Sequence, residues 1–254
     1  MTGESFKPIA VSSPANAPVT FCLRCVVDLQ LATIARYLRP ALKDLNGAVL
    51  DVGAGQSPWR SWLPSTTTYQ GLDIGNAVDF GMLSKIEDVI YYEGAQMPLA
   101  DDTYDAVLCI EVLEHAKDPE LLLLEILRVM KKDAVLLLTV PWSARRHHIP
   151  HDYRRFTREG LDLLMGEAGF DSVMIFERGN DIAVIANKLT VLTLRLVTPK
   201  YWWHSLWTLP AALVCGVVAC FFIASAHICI AFGWGSNEDP LGYFVQAKKA
   251  VCPK

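Results

Sequence analysis

Residues 48–59 read Ala48-Val49-Leu50-Asp51-Val52-Gly53-Ala54-Gly55-Gln56-Ser57-Pro58-Trp59, an apolar run of strand length that breaks into a glycine-bearing turn. Two glycines two residues apart allow backbone conformations and close approaches that a Cβ forbids. About twenty residues on, a second run closes as Gly71-Leu72-Asp73-Ile74, which places an acid where it can accept the hydroxyl pair of a ribose. The alternation continues outward. Runs of strand length recur at 48–52, 68–74, 89–92, 105–110, 134–140 and 172–176, with helical patterns between them, clearest at 119–130 and 158–168. Strands alternating with helices predict parallel strands joined by right-handed crossovers, an α/β doubly wound sheet. Ligands bind such sheets beyond the carboxyl ends of the strands, so chemistry is expected just after each run.

The chain has 254 residues, of which 52% are apolar and 20% charged, with a mean hydropathy of +0.27. That suffices for one large α/β domain or two small ones, excludes a disordered or fibrous chain, and is more apolar than an ordinary soluble enzyme. A net charge of −4 and a pI near 5.9 argue against phosphate neutralisation, so no nucleic acid is expected as a partner. Cys215, Cys220 and Cys229 lie in an apolar stretch and Cys109 in a strand-like run. Cys22 and Cys25 form a lone CxxC, so reduced thiols on a cytosolic side are expected. Residues 1–20, rich in Ser, Pro and Ala, read as a loose tail. Over 21–45, Leu23, Val26, Val27, Leu31, Ile34, Leu38 and Leu42 recur at helical spacing and predict one leading helix, stopped by Asn46-Gly47.

After the third run comes Glu93-Gly94-Ala95-Gln96-Met97-Pro98-Leu99, then Asp101-Asp102-Thr103-Tyr104-Asp105, then Ala106-Val107-Leu108-Cys109-Ile110-Glu111-Val112-Leu113-Glu114-His115. This order resembles the class I S-adenosylmethionine-dependent methyltransferases, in the small-molecule branch that includes the quinone-methylating enzymes. The resemblance covers about 45–176 and the C-terminus. It implies a seven-stranded, mostly parallel Rossmann-like sheet and S-adenosylmethionine as cofactor. It further implies that Asp51, Gly53, Ala54 and Gly55 meet the methionine end and that Asp73 with Ile74 meets the ribose. Glu93 and Gly94 would meet the adenine edge, and Ile110 and Glu111 would line the pocket after strand four. Ser57-Pro58 stands where the family has a third glycine, and Glu93 where it has Asp. Pro is accommodated at a helix start and Glu retains the acceptor oxygens.

After strand five, residues 141–157 carry His147, His148 and His151 together with Arg145, Arg146, Arg154 and Arg155. A solvated basic loop would have this composition, but Tyr153 and Phe156 beside His151 and Asp152 point to a structured pocket wall. The string His151-Asp152-Tyr153-Arg154-Arg155-Phe156 is similar to segments of ubiquinone-pathway O-methyltransferases and of methyltransferases in envelope sugar and lipid pathways. Methyl transfer to a hydroxyl requires alignment and removal of a proton, a task neutral imidazole suits near pH 7. His151 is the candidate base, Asp152 its orienting partner and His148 the alternative base. The arginines would hold an anionic acceptor. If a helix starts near Glu111, then Glu111, Glu114 and His115 share one face and could hold a divalent cation such as Mg. The other reading has Glu111 lining the cofactor pocket and His115 packing locally. The Glu-x-x-Glu-His string resembles the metal-binding motif of small-RNA 2′-O-methyltransferases and some quinone O-methyltransferases.

Between Lys200 and Glu238 there is no Asp, Glu, Lys or Arg, and 206–234 reads LWTLPAALVCGVVACFFIASAHICIAFGW. This exceeds the ~20 residues that span a bilayer core, with Tyr201, Trp202, Trp203, Trp207 and Trp234 at its ends like interfacial belts. A buried core helix is the competing reading. Because 239–247 reads as the last strand of the same sheet, the chain must return to the side it left. A re-entrant hairpin bent near Pro210 or Gly216 satisfies this, or 182–197, which carries Lys188 and Arg195, supplies a second leg or lies flat in the interface; monotopic insertion is the favoured reading. The expected organisation is a loose tail over 1–20, a methyltransferase domain of 21–180 with 238–254, and a membrane-associated helical insert over 181–237. The expected partners are the lipid bilayer and a small-molecule or lipid-linked acceptor, with the catalytic domain facing the cytoplasm. A soluble sugar or quinone acceptor, or a catalytically silent membrane adaptor, are the alternatives.

Overall fold

The computed structural model describes residues 11–75, 86–93, 95–199 and 201–250. Gly94, expected at the adenine edge, lies outside them, as do residues 1–10, the first half of the expected tail. Seven strands form one sheet: β1 (Gly47–Val52), β2 (Thr67–Ile74), β3 (Val89–Tyr92), β4 (Tyr104–Ile110), β5 (Met130–Pro141), β6 (Phe170–Arg178) and β7 (Gly242–Lys249). Their order is β3-β2-β1-β4-β5-β7-β6. The first five run parallel, and β7 inserts antiparallel between β5 and β6. Val52 pairs with Leu72 on one side and Cys109 on the other, so the carboxyl ends of the central strands finish side by side. The order changes direction at β1 and β4, where a ligand crevice opens.

Helices cover both faces, which explains the nearly continuous apolar strands. On one face Leu50, Leu72, Val107 and Leu138 pack against Leu123 and Ile126 of α3 (Pro119–Val129) and Leu161 and Met165 of α4 (Arg158–Ala168). On the other, Val49, Leu108, Leu137 and Phe244 pack against Ile34, Leu38 and Leu42. The predicted single leading helix is instead two, α1 (Pro18–Val27) and α2 (Leu29–Lys43), bent by 118°. Asp28 causes the break: its Oδ1 accepts the Leu31 N–H at 3.1 Å and caps α2. Helical spacing runs through the break and cannot reveal it. The tail is also shorter than expected, because Pro18 opens α1 with the fixed φ of a first-turn proline.

Between β6 and β7 the chain leaves the sheet as an antiparallel helical hairpin, α5 (Asp181–Val197) and α6 (Ser205–Phe232). α6 is one unbroken helix of 28 residues, about 42 Å long. It passes through Pro210 and Gly216, so a bend within the apolar run does not occur, and the second leg is α5. Pro210 falls in the second turn and removes a single i→i−4 bond. Ala212, Ala219 and Ala226, seven residues apart, are the side of α6 that is buried, while Leu206, Trp207, Leu213, Val214, Val217, Phe221 and Phe232 are exposed.

The hairpin base is tied to the sheet at the carboxyl ends of β5 and β6. Asn180 caps α5 by accepting the Ala183 N–H at 2.9 Å and donates to the Trp234 carbonyl at 2.6 Å. Asp181 and Ser236 join across the two ends, and Leu241 N–H donates to the Arg178 carbonyl. Trp142 and Ser143 then donate to the Leu241 carbonyl at 2.9 and 3.0 Å. The loop after β5 therefore starts on the foot of the hairpin.

Candidate active site

A cleft of about 650 Å³ opens beyond the carboxyl ends of β1 to β4. Strand ends supply Val52, Gly53, Gly55, Leu72, Asp73, Ile74, Tyr92 and Glu111 to its lining. Later loops supply Val112, His115, Lys117, His148, His151 and Tyr153.

The turn after β1 is held by the neighbouring strand. Gly53 and Ala54 N–H groups donate to the Leu72 carbonyl at 2.8 and 3.2 Å. Gly53 (φ +70°) and Gly55 (φ +54°) both have left-handed backbones, but their surroundings differ. A Cβ at Gly53 would come within 2.3 Å of Val112 Cγ2, so this glycine is required by the protein itself. A Cβ at Gly55, which lines the cleft, would meet nothing nearer than the Gly53 carbonyl oxygen at 4.0 Å. Asp73 Oδ2 accepts the Gly55 N–H at 2.9 Å and Oδ1 accepts the Ile74 N–H at 2.7 Å. Burial pushes this carboxyl up from its ordinary value, and the two backbone donors oppose that. Each oxygen keeps lone-pair capacity for a further donor, the arrangement a vicinal diol needs.

Asp51 stands behind this turn. It is buried, does not line the cleft, and accepts the Tyr69 hydroxyl at 2.8 Å. Burial pushes its carboxyl from an ordinary 3.8 up to about 7, with the Tyr69 hydrogen bond acting against the rise. The unfolded chain releases this proton near a pH of about 4, so between there and about 7 the folded state binds more protons. Its contribution to stability is complete below that window and is lost as pH rises through about 7. Relative to Asp51→Asn, which keeps an acceptor for Tyr69, the wild-type protein is expected to lose up to about 4 kcal/mol across the window. Chemical denaturation of both proteins over that range measures the difference, and parallel profiles would refute it.

Glu111 does not begin a helix. Its φ is +56°, its N–H donates to the Thr139 carbonyl at 3.0 Å, and the turn that follows is a 3-10 turn over Leu113–His115. Its Oε1 accepts from Arg178 Nη2 at 2.7 Å. Arg178 is fully buried at the end of β6 and also donates to the carbonyls of Gln30, Val140 and Tyr243. The expected sharing of one helix face by Glu111, Glu114 and His115 is therefore corrected, because Arg178 draws the Glu111 carboxylate away. Glu114 is fully buried and His115 lies at the cleft wall. Ile110 is half-buried outside the lining, and Glu93 is exposed beside Gly75, whose N–H donates to the Tyr92 carbonyl at 2.9 Å.

In the loop after β5, His151 reaches the cleft and its Nδ1 meets the Tyr153 hydroxyl at 3.0 Å. Asp152 is not its orienting partner. The Asp152 carboxylate accepts from Arg155 through both oxygens and from the His147 N–H at 3.0 Å, clasping the loop closed. Burial would raise its pKa, but Arg155 and the His147 N–H prevail and hold it below the usual carboxylate range. Arg154 donates to the Ala116 carbonyl at 2.7 Å, so it and Arg155 serve the loop's own architecture. His148 lines the cleft, and burial lowers its pKa to about 4, with His115 and His147 adding to the effect. Its ring is neutral at pH 7. Sequence reasoning missed Tyr92, Val112 and Lys117, which line the cleft, and Arg178, a strand-end arginine with no motif to mark it.

A profile described as a methyltransferase domain matches residues 28–174. The chain belongs to this methyltransferase family. No curated protein matches the sequence. Among solved structures, a SAM-dependent methyltransferase of Thermotoga maritima is 12% identical, covering 93% of this chain and 96% of its own with a TM-score of 0.52. One from Archaeoglobus fulgidus is 18% identical over 91% and 100%, with a TM-score of 0.51. The [4+2]-cyclase SpnF is 18% identical over 98% and 100%, with a TM-score of 0.52. At these identities the likeness establishes the fold alone. The methyltransferase takes S-adenosylmethionine, the cofactor typical of its family. The cleft suits it: Asp73 has acceptor capacity for the ribose, Tyr92 and apolar side chains supply a surface for the base, and Gly55 leaves room beside the turn.

Proposed function

We propose that this methyltransferase transfers a methyl group to an oxygen of a lipid-linked or membrane-resident acceptor, with the hairpin α5–α6 embedded in the bilayer. The observation that carries the reading is the link between hairpin and loop: Trp142 and Ser143, which open the loop bearing His148 and His151, hydrogen-bond to Leu241, and Leu241 packs in one buried cluster with Ala183 and Ala186 of α5 and Ala226 of α6. An inserted hairpin would hold the mouth of the cleft at the lipid surface, and the acceptor need not leave the bilayer. In this organisation 21–180 and 238–254 form the catalytic domain and 181–237 the insert. Cofactor supply and cysteines that are all unpaired among the described residues favour a cytoplasmic orientation.

S-adenosylmethionine supplies an electrophilic methyl group on sulfur. Asp73 with Ile74 holds the ribose, and the turn 53–55 meets the methionine end. Glu111, fixed by Arg178, forms the wall between cofactor and acceptor. His151 takes the acceptor's proton at Nε2, donating its Nδ1–H to the Tyr153 hydroxyl oxygen. Arg146, exposed in the same loop, would meet an anionic group on the acceptor, whereas Arg154 and Arg155 hold the loop together.

The test is transfer of labelled methyl from S-adenosylmethionine into membranes carrying the protein, followed by organic–aqueous partition. Label is expected in the organic phase, and His151→Ala is expected to lower the rate about 10²- to 10⁴-fold with cofactor binding kept. Label confined to the aqueous phase would overturn the lipid acceptor in favour of a soluble sugar or quinone. Cofactor binding without transfer to any fraction would favour the silent adaptor.

A further inference from the structure

The turn after β4 and the loop after β5 bring three imidazoles to one point. His115, His147 and His148 each present a ring nitrogen, and these nitrogens all lie within 4.8 Å of one another. The ring centroids are 4.8 to 5.1 Å apart. His115 Nδ1 lies 2.8 Å from the His151 carbonyl oxygen and His147 Nδ1 lies 3.1 Å from the Arg145 carbonyl oxygen. A carbonyl only accepts, so both rings carry their hydrogen on Nδ1 and hold the lone pair on Nε2. Those two Nε2 atoms stand 3.6 and 4.0 Å from Glu114 Oε1. Glu114 is fully buried, and neither of its carboxyl oxygens has a hydrogen-bond partner among the described residues.

The Nε2 lone pairs of two imidazoles thus converge on a buried carboxyl group with no hydrogen-bond partner among the described residues, a polar cluster that a bound cation would satisfy. We propose that His115, His147 and His148, backed by the Glu114 carboxylate, form a binding site for one divalent transition-metal ion, with zinc the best match. A ligating histidine usually donates its other ring N–H to a carbonyl or carboxylate, as His115 and His147 do here. Imidazole donors suit zinc and its neighbours, whereas Mg²⁺ takes oxygen ligands and water. Glu111 is outside the set, held by Arg178. Three protein nitrogens at Zn–N of about 2.1 Å leave a fourth position open. His115 and His148 both line the cleft, so that position faces it.

The site rests on the reading that this end of the cleft takes the acceptor. An ion there would polarise an acceptor hydroxyl, whose proton passes to His151 as the O–CH₃ bond forms and the S–CH₃ bond breaks. Metal binding can be measured without any transfer. The full-length protein, stripped with a chelator and titrated with Zn²⁺, is expected to bind one equivalent. With Co²⁺ it is expected to show the visible absorption of a four-coordinate site. Zinc-edge absorption on the wild-type protein should count three imidazoles. His147→Ala is expected to weaken binding at least about 100-fold, and Glu111→Gln to leave it within about twofold. No stoichiometric uptake would overturn the proposal. So would uptake of Mg²⁺ but not Zn²⁺, fewer than two imidazoles at the edge, or a loss in Glu111→Gln matching that in His147→Ala. Because the edge spectrum uses the wild-type protein, a variant that fails to fold does not spare the proposal.

Discussion

Asp73→Ala is expected to weaken binding of S-adenosylmethionine by about 10²- to 10⁴-fold. Hydrogen bonds to an ionised group are each worth roughly 1.5–3 kcal/mol, and the ribose hydroxyl pair would make two to this carboxylate. The position is prepared for them, because the Gly55 and Ile74 N–H groups orient the two oxygens before any ligand arrives. The same substitution removes the partner of the Gly55 N–H and so loosens the turn at the methionine end. Asp73→Asn separates the two effects. It keeps one acceptor oxygen but sets a donor against a donor at the other position, and is expected to fall between alanine and wild type. Calorimetric titration of the three proteins measures the series. Binding within about fivefold of wild type in Asp73→Ala would place the ribose elsewhere.

The sheet was legible in the sequence because both of its faces are buried. Strand-length apolar runs bounded by Gly, Asp and Pro mark β1 to β5 to within a few residues, and the acid that ends β2 could be located by its distance from Gly53. What the sequence could not show are the places where one side chain decides between neighbours. Asp28 breaks a helix whose apolar spacing continues unbroken, because a cap is a local hydrogen bond and not a change of pattern. Glu111 has the helical spacing to reach Glu114 and His115, yet an arginine 67 residues away holds its carboxylate. Asp152 beside His151 suggests a pair, but the chain reverses there and the carboxylate faces Arg155 and the His147 N–H. Long-range partners of this kind leave no periodicity. The hairpin is an intermediate case: its apolar length is plain, but only the packing shows that α5 supplies its second leg.

A charged pair placed on the outer face of α6 is expected to release the protein from membranes. Val217 and Phe221 are four residues apart near the middle of the helix, and both are exposed. Placing Asp at the centre of a membrane helix costs roughly 2.5–3.5 kcal/mol per residue, so Val217→Asp with Phe221→Asp opposes insertion by roughly 5–7 kcal/mol. The dimensions of the helix match those of a bilayer, as the proposed reading requires. Trp207 and Trp234 are 27 residues apart, about 40 Å along the axis, close to the ~40–45 Å between the outer limits of the two interfaces. An apolar surface on every side suits burial or lipid, and among the described residues the protein covers 11% of the most apolar window. The buried face of alanines is the close-packing kind that membrane helix pairs use. α5 carries Lys188 and Arg195, both exposed, about 10 and 21 Å along the leg from Asp181, and long basic side chains can extend toward the headgroups at the two surfaces. Both ends of the hairpin return to one sheet, so the catalytic domain stays on one side whatever the depth. The double variant is expected in the soluble fraction after membrane sedimentation, with S-adenosylmethionine binding unchanged because neither residue touches the cleft. Methyl transfer to a membrane-resident acceptor should fall with it. If the variant still sediments with membranes, the exposed face of α6 does not meet lipid. If the wild-type protein is soluble and the variant changes its oligomeric state, the face belongs to a second copy of the chain.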